Sequence, residues 1–472
     1  MIPMQAPLAL DHDDARLLEE LVSVWNAKRN RNVLRTVYFE GKQAFKDFGI
    51  SIPPQLQQFG TTLGWVAKGV NALVDRSNLE GFVSPGMVDD PYSIESVLTA
   101  NQFYNEFPQA VQSSAIHACA FLTVSQGDVA SGEPEALILP RAADASAGLW
   151  DSRRRAVRGF LAVVSVDEAD MPTEMVMYRP EKVVTLTRQP AGGWQVDIRR
   201  NPLREVTVAP LVHKPDLKRP FGHSRISRAA MDYTDAALRT VLRSEVQAEG
   251  FSAPQYWLLG ASAKAFAGNA RFKAVMGRVF GLTENSETGE VPDVKRFEGA
   301  SMVPHVDHLK MWAMLFCGDQ GLSPSSLGII HDNPSSAEAI YAAKEDLIID
   351  ARQANRSWGQ GAVKAVQLAV RLRDGLDVTP EPLLKLTAMF TDPSMVSPTA
   401  AADAFTKRAA AIPGFAESEV GLETAGLTRE QIVRFQDEQK RKAAGNSINA
   451  LVAAAASRRA PAQEVAADGG TV

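Results

Sequence analysis

Apolar positions recur at intervals of three and four over residues 12–34, where Leu17, Leu18, Leu21, Val22 and Trp25 share one face. This spacing predicts an amphipathic first helix. The basic run Lys28, Arg29 and Arg31 that follows reads as its solvated side. Beyond the Pro-rich connector at Ile52-Pro53-Pro54, a stripe of Leu63, Val66, Val70 and Leu73 predicts a second helix over 61–74. From about residue 78 to 215 the period shortens. Phe121–Val124, Ala136–Leu139, Gly159–Val164 and Lys182–Leu186 read as strands, and Gly192-Gly193 before Trp194–Ile198 marks a hairpin.

A turn at Arg219-Pro220-Phe221-Gly222 then opens a long helix, with Ser224 as its expected N-cap and Gly250 as its stop. Ile226, Ala230, Tyr233, Ala237 and Val241 form one stripe along it, so it needs a partner of similar length. Residues 251–302 return to short β-like runs, Gln255–Leu259 and Arg278–Leu282, with an exposed loop over 284–292. A helix over 305–318 comes next, and the prolines and glycines of 321–334 forbid regular helix there. Ser335 and Glu338 have capping-box spacing and predict a second long helix towards Arg371, bending at Gly359 or Gly361. Past a boundary at Thr379-Pro380, residues 395–460 are alanine-rich and helical, Thr428 and Gln431 form another capping box, and 461–472 have little to bury. The fold class is α+β.

Composition narrows the function. The chain has 472 residues, 45% of them hydrophobic and 22% charged, enough for several cores. A formal charge of -5 argues against nonspecific coating of nucleic acid, which draws affinity from basic faces that release counterions. Cys119 and Cys317 stand alone, without zinc or disulfide spacing, and read as buried thiols in a reducing cytoplasm. The N-terminal stretch carries acids where a signal peptide carries bases, and no apolar run reaches the ~20 residues of a membrane span. Walker, G-x-S-x-G, H-E-x-x-H and Rossmann fingerprints do not occur in the sequence, so neither a catalytic site nor a cofactor is expected. His305 and His308 share a helical face but are too few for zinc, and His331-Asp332 reads as a turn rather than an acid/base pair. Arg153-Arg154-Arg155 with Arg158 is the densest basic cluster, read as a solvated or subunit-bridging face, with DNA contact as the alternative. Lys440-Arg441-Lys442 and Arg458-Arg459 are read the same way.

The order of elements is more specific than any one motif. A long helix, a small β-like excursion, a shorter helix, a Pro/Gly loop and another long helix resemble the stem, clip, stem, tunnel loop and wing helix of phage portal proteins. Leu211-Val212-His213-Lys214-Pro215 with Arg219–Ile226 looks like the lead-in to the first stem helix in portals of actinobacterial siphophages. Ala248–Gln255, and Leu322-Ser323-Pro324-Ser325-Ser326-Leu327-Gly328 closing on Asp332–Ala339, are similar to stretches of the same group.

The resemblance implies a ring, usually a dodecamer, at one capsid vertex of the virion, assembled in the host cytoplasm among major capsid and scaffolding proteins. Double-stranded DNA passes through it, the terminase large subunit docks during packaging, and a head-completion (adaptor) protein and the tail follow. On that reading 1–223 is the wing, 224–249 the first stem helix, 250–304 the clip, 305–320 the second stem helix, 321–335 the tunnel loop, 336–395 the long wing helix and its return, 396–460 a helical crown and 461–472 a disordered tail. His331, Asp332, Asn333 and Lys310 become the residues expected nearest DNA in the channel. In the clip, Lys264, Arg271, Lys273, Arg278, Lys295 and Arg296 are candidates for terminase or DNA. A net acidic subunit suits a channel, because fixed basic contacts would act as friction on moving DNA. The competing readings are another structural virion protein, such as a minor head or capsid protein, and a DNA-processing enzyme. The latter needs clustered carboxylates for metal ions, and Asp89, Asp90 and Asp332 are scattered.

Overall fold

The structure, a computed structural model, describes residues 10–43, 61–85, 90–190, 192–252, 256–259, 289, 293–296, 301–329, 344–394, 398–428 and 431–444. The chain divides into two units, Met1–Pro393 and Ser394–Val472.

In the first unit, helices α1 (His12–Phe39), α2 (Trp65–Val74), α3 (Ile94–Ala100) and α4 (Phe103–His117) surround strand β1 (Leu79–Val83) in chain order. Strands β2 (Cys119–Gln126), β3 (Ala136–Ala142), β4 (Ser146–Asp151), β5 (Ala156–Val166), β6 (Pro172–Tyr178), β7 (Lys182–Arg188), β8 (Trp194–Arg200) and β9 (Val208–Val212) follow. They form two antiparallel sheets, a five-stranded meander in the order β4-β5-β6-β7-β8 and a three-stranded sheet in the order β3-β2-β9. Alternation along the strands sorts the core into layers. Leu161, Met175, Met177, Val184 and Leu186 face the apolar stripe of α1, Leu18, Leu21, Val22 and Trp25. Phe160, Ala162 and Tyr178 face the opposite way, against Phe121 and Val208 of the smaller sheet. The far face of that sheet, Ala120, Leu122, Val124 and Leu211, packs on the largest core, built by α2, α3, α4 and a long helix over Glu345–Asp374.

Several strands escape the sequence pattern for physical reasons. β9 carries Pro210 and is the edge of its sheet, where a missing N–H is tolerated. β4 contains Gly148 because a Cβ there would sit 3.2 Å from Phe221 and 3.3 Å from Phe121. β6 starts on a proline, and β1 pairs only with the distant β12 (Thr387–Phe390). The β7–β8 hairpin does turn through Gly192 and Gly193, both at positive φ.

Helix α5 (Arg228–Ser252), strands β10 (Tyr256–Leu259) and β11 (Asp293–Arg296), α6 (Val303–Gln320) and α7 (Glu345–Asp374) follow, with a short α8 (Glu381–Leu384) before β12. Three sequence expectations need correction here. α5 is capped by Ser227, whose Oγ accepts from Ala230 N at 2.9 Å, while Ser224 serves the preceding turn through Ile226 N. It also runs through Gly250 to Ser252 rather than stopping at that glycine. α2 starts at Trp65, not near 61. The Ser335/Glu338 capping box and the Arg278–Leu282 strand lie outside the described residues.

α7 does not break at its glycines. A Cβ on Gly361 would lie 2.4 Å from the Pro210 carbonyl oxygen and 2.7 Å from Leu211, and one on Gly359 would lie 3.2 Å from Ala388 and Phe390. The glycines let the helix backbone lie directly on β9 and beside β12. Trp358, fully buried, anchors the same stretch: its Nε1 donates to Ser114 Oγ at 2.9 Å, and Ser114 in turn donates to the Leu211 carbonyl at 2.8 Å.

Among its described residues the second unit contains α9 (Pro398–Ala411), a single turn over Phe415–Glu417, α10 (Glu419–Thr424) and a helical run over 431–444. The Thr428/Gln431 box forms as read: Thr428 N donates to Gln431 Oε1 at 3.0 Å and Gln431 N to Thr428 Oγ1 at 3.4 Å.

The packing role of Gly361 is open to a test of sign. Gly361→Ala is expected to destabilise by about 1–3 kcal/mol through overpacking on Pro210. A glycine kept only for flexibility would instead gain about 1 kcal/mol on the same change. Denaturant melts of the two proteins separate the outcomes.

Candidate functional site

α5 and α6 pair side by side, and their contacts fix the direction. Tyr233 stacks near Trp312 at 6.2 Å, Thr240 Oγ1 shares a hydrogen bond with His308 Nδ1 at 3.4 Å, and Gln247 meets His305. Rising numbers on α5 match falling numbers on α6, so the helices are antiparallel. The antiparallel β10–β11 pair, with Tyr256 opposite Arg296 and Leu259 opposite Asp293, lies in the chain between their far ends. His305 and His308, which could be drawn as metal ligands, are interhelical polar contacts.

At the near end of this pair lies a buried charged junction. Arg225, 5% exposed, donates from Nε to the Gly69 carbonyl at 2.8 Å and from Nη2 to the Gln320 carbonyl at 2.5 Å, and its Nη1 lies 3.3 Å from Asp350. Lys214 reaches the same carboxylate at 2.9 Å. Gln320 answers by donating to the Arg225 carbonyl at 3.2 Å, and Asp319 accepts from Ser227 Oγ at 2.8 Å. Burial lowers the Arg225 pKa from its ordinary value, and Asp350 partly opposes that shift. The last turn of α6 closes on Gly321 in the left-handed region, with Leu322 N bonded to the Cys317 carbonyl at 2.9 Å. A Cβ on Gly321 would lie 3.4 Å from Asp346, so the loop that begins here leaves from the place where α7 starts. The turn Pro324–Leu327 is 3-10 helix, in keeping with the exclusion of regular helix.

A long helix, an antiparallel strand pair and an antiparallel helix follow one another in the order on which the portal resemblance rests, and the comparisons with known proteins decide the family. A family model described as phage portal protein, SPP1 Gp6-like, matches residues 21–444. The chain belongs to that portal protein family. It is 26% identical over 452 residues to the portal protein of Mycobacterium phage D29, covering 93% of this chain and 91% of that one. To the portal protein of Mycobacterium phage L5 it is 25% identical over 440 residues, covering 91% and 88%. Against a chain from the neck of a native GTA particle computed with C12 symmetry the TM-score is 0.44 at 13% identity, over 83% of this chain and 98% of that one. As a portal protein it is a structural, non-enzymatic component of the bacteriophage virion, a head-tail connector.

Within this portal protein the expected site residues are dispersed. Lys310 is exposed on α6. Lys295 and Arg296 lie on β11, opposite Trp257 and Tyr256. Lys264, Arg271, Lys273, Arg278, His331, Asp332 and Asn333 lie outside the described residues. Arg153, Arg154 and Arg155 sit on the exposed β4–β5 turn, where Asp151 Oδ1 accepts from the backbone N–H of Arg153 at 2.9 Å and of Arg154 at 3.0 Å. Those bonds hold the Asp151 carboxyl below the usual carboxylate range. Both cysteines are buried, and burial pushes the Cys119 thiol up to about 12 and Cys317 up to about 11.

Sequence reasoning missed Arg225 and His213 as structural centres, although both lie in the lead-in that carried the portal resemblance. His213 is 1% exposed, and its Nδ1 donates to the His223 carbonyl at 2.6 Å. Its Nε2 is buried without a partner, and the ring stacks on Trp358 at 6.0 Å. Burial is the main cause of its fall in pKa to about 4, with Arg225 and Lys214 adding to it. The folded protein therefore keeps this imidazole neutral while the unfolded chain binds a proton below about 6.5. Its contribution is intact above pH 6.5 and is lost as pH falls towards 4, on the order of 3 kcal/mol in all. In His213→Asn, which keeps a donor for the carbonyl, denaturation midpoints across that interval are expected to fall less steeply than in the parent.

Proposed function

We propose that this portal protein works as a closed ring of about twelve copies, the number its family resemblance implies. Double-stranded DNA enters and leaves through the central hole. α5 and α6 form the stem, residues 250–304 the clip that meets the terminase large subunit and then the adaptor protein, and 321–335 the loop nearest the DNA. Major capsid and scaffolding proteins surround the wing at one vertex.

The observation that carries this reading is the surface of α6. Val303, Val306, Met311, Met314 and Leu315 are each 41–60% exposed on one 18-residue helix. α5 covers only one side, and Ala313, Phe316, Cys317 and Gln320 are its buried residues. An aliphatic face of this kind beside a paired helix fits a subunit contact. A contact between two different surfaces of identical subunits closes into a ring when the rotation permits. The formal charge of -5 supports the channel role, because a sparse set of bases limits the friction of passing phosphates.

Size-exclusion chromatography with light scattering tests the assembly. The parent should elute at many times the 51.1 kDa subunit mass, and Met314→Glu with Leu315→Glu should shift it towards that mass with circular dichroism unchanged. Rings that survive the double substitution would remove α6 from the interface. A parent that stays monomeric would overturn the reading.

The loop has its own test. His331→Ala or Asn333→Ala should leave rings and procapsids intact while reducing DNA packaged or retained, measured as protected genome per particle. Unchanged packaging would remove these side chains from the channel.

A further inference from the structure

A cavity of about 340 Å³ opens between α1 and the turn that joins β9 to α5. Lys28, Arg31 and Arg35 line it from one face of α1, and Lys218 and Arg219 line it from the turn. Five cationic side chains around one cavity run against the character of a chain whose formal charge is -5. Among the described residues, none of these five forms a side-chain ion pair. The two nearby acids meet histidines of the cavity lining rather than the side chains of these cations. Asp216 accepts from the backbone N–H groups of Lys218 and Arg219, each at 2.7 Å, and shares a hydrogen bond with His223 Nε2 at 2.6 Å. Asp144 lies 4.0 Å from His117 Nε2.

Two further observations point to an absent ligand. Asn32 lines the same cavity and is 4% exposed; its Nδ2 donates to the Ala143 carbonyl at 2.9 Å, while its Oδ1 is buried with no partner. Arg35 has its Nη1 bonded to the His117 carbonyl at 3.2 Å, and its pKa is brought down to about 10, first by burial and then by Arg31 and Arg219. Cations that repel one another across a partly buried cavity are stabilised together by an anion placed between them.

The geometry points to a binding site for a phosphate-class oxyanion between α1 and the β9–α5 turn, held by Arg31, Arg35, Lys218 and Arg219. Phosphate suits the cavity better than a partner's carboxylate for two reasons. A phosphate monoester carries close to two charges where a carboxylate carries one, and several cations converge here. A carboxylate only accepts hydrogen bonds, whereas a phosphate near its second ionisation keeps an O–H in part of the population, and the buried Asn32 Oδ1 requires a donor. Guanidinium groups match phosphate oxygens in paired bonds, and Lys28 and Lys218 add point charge at the mouth. The phosphate could come from a free small molecule or from a DNA backbone. The site does not depend on the ring.

Isothermal titration of the full chain with pyrophosphate, at ionic strength held constant with sodium chloride, tests it. The parent should bind and gain thermal stability. Arg31→Gln with Lys218→Gln, both at exposed positions, should weaken binding about tenfold or more, while Arg153→Gln leaves it unchanged. A short DNA duplex that competes with pyrophosphate would identify the backbone as a source. A duplex that does not compete would leave a free phosphate compound, and either result supports the site. Pyrophosphate no better than chloride, or binding indifferent to the double substitution, would overturn it. So would an oligoglutamate peptide that binds where pyrophosphate does not, since the cavity would then belong to a partner's carboxylates.

Discussion

Arg225 carries its guanidinium into the interior, and much of the first unit is arranged to make that tolerable. Burying an ion costs several kcal/mol unless its donors are satisfied, and removing one member of a buried pair costs ~3–5 kcal/mol. The required acceptors come from separate parts of the chain: the Gly69 carbonyl on α2, the Gln320 carbonyl at the end of α6 and the Asp350 carboxylate on α7. Gly69 is small for the same reason, because a Cβ there would sit 2.9 Å from Gln320 Oε1. One side chain thus fixes where α5 begins, where α6 ends and how α7 approaches both. Any motion of the α5–α6 pair against the sheets must keep these bonds or replace them with equivalents.

The junction also explains why the α5–α6 pair can leave an apolar face uncovered. α6 is anchored at its last turn by Gln320 and Phe316 and along its length by aromatic and polar contacts to α5, so it does not need the sheets of the first unit to bury its remaining aliphatic residues. Phe316 meets Trp65 at 5.7 Å, which ties α6 to α2 beside Arg225. Met311, Met314 and Leu315 remain free for another surface. Among apolar side chains methionine adapts most readily to a surface that shifts, through its unbranched chain and polarizable sulfur.

Where local pattern and burial agree, the elements were legible in the sequence. The α1 stripe through Trp25, the α5 stripe through Ala237 and the Thr428/Gln431 box all use short-range spacing that solvent exposure enforces. Elements governed by distant partners were not. β1 is specified by β12 some 300 residues later, and Gly361 signals flexibility until Pro210 is seen against it. The candidate channel residues rested on loop chemistry alone, and most lie outside the described residues. Arg225 stood within the Arg219–Ile226 run, yet an arginine before an apolar stripe reads as solvated until three acceptors are seen to converge on it.

Charge is distributed so that these demands do not collide. A conduit for DNA needs weak, scattered contact, because each fixed phosphate contact strengthens binding and its dependence on salt. Some bases of the first unit are taken up by acids: Arg158 by Glu20, Arg188 by Asp167 at 3.0 Å, Arg352 by Asp392 at 3.2 Å, Lys364 by Glu205 at 2.7 Å. Exposed pairs of this kind add little stability, with a median near 0–1 kcal/mol, but each removes a free cation that could grip a phosphate. The cations facing one another between α1 and the β9–α5 turn are not paired in this way, and they differ from other bases in converging on one cavity. Their repulsion is felt at the half-buried Arg35, whose pKa Arg31 and Arg219 help to lower, and the proposed anion would offset it. Pairing at those sites and convergence here are then two sides of one arrangement: contact with phosphate is weakened where a base is paired and concentrated where a cavity can select what enters.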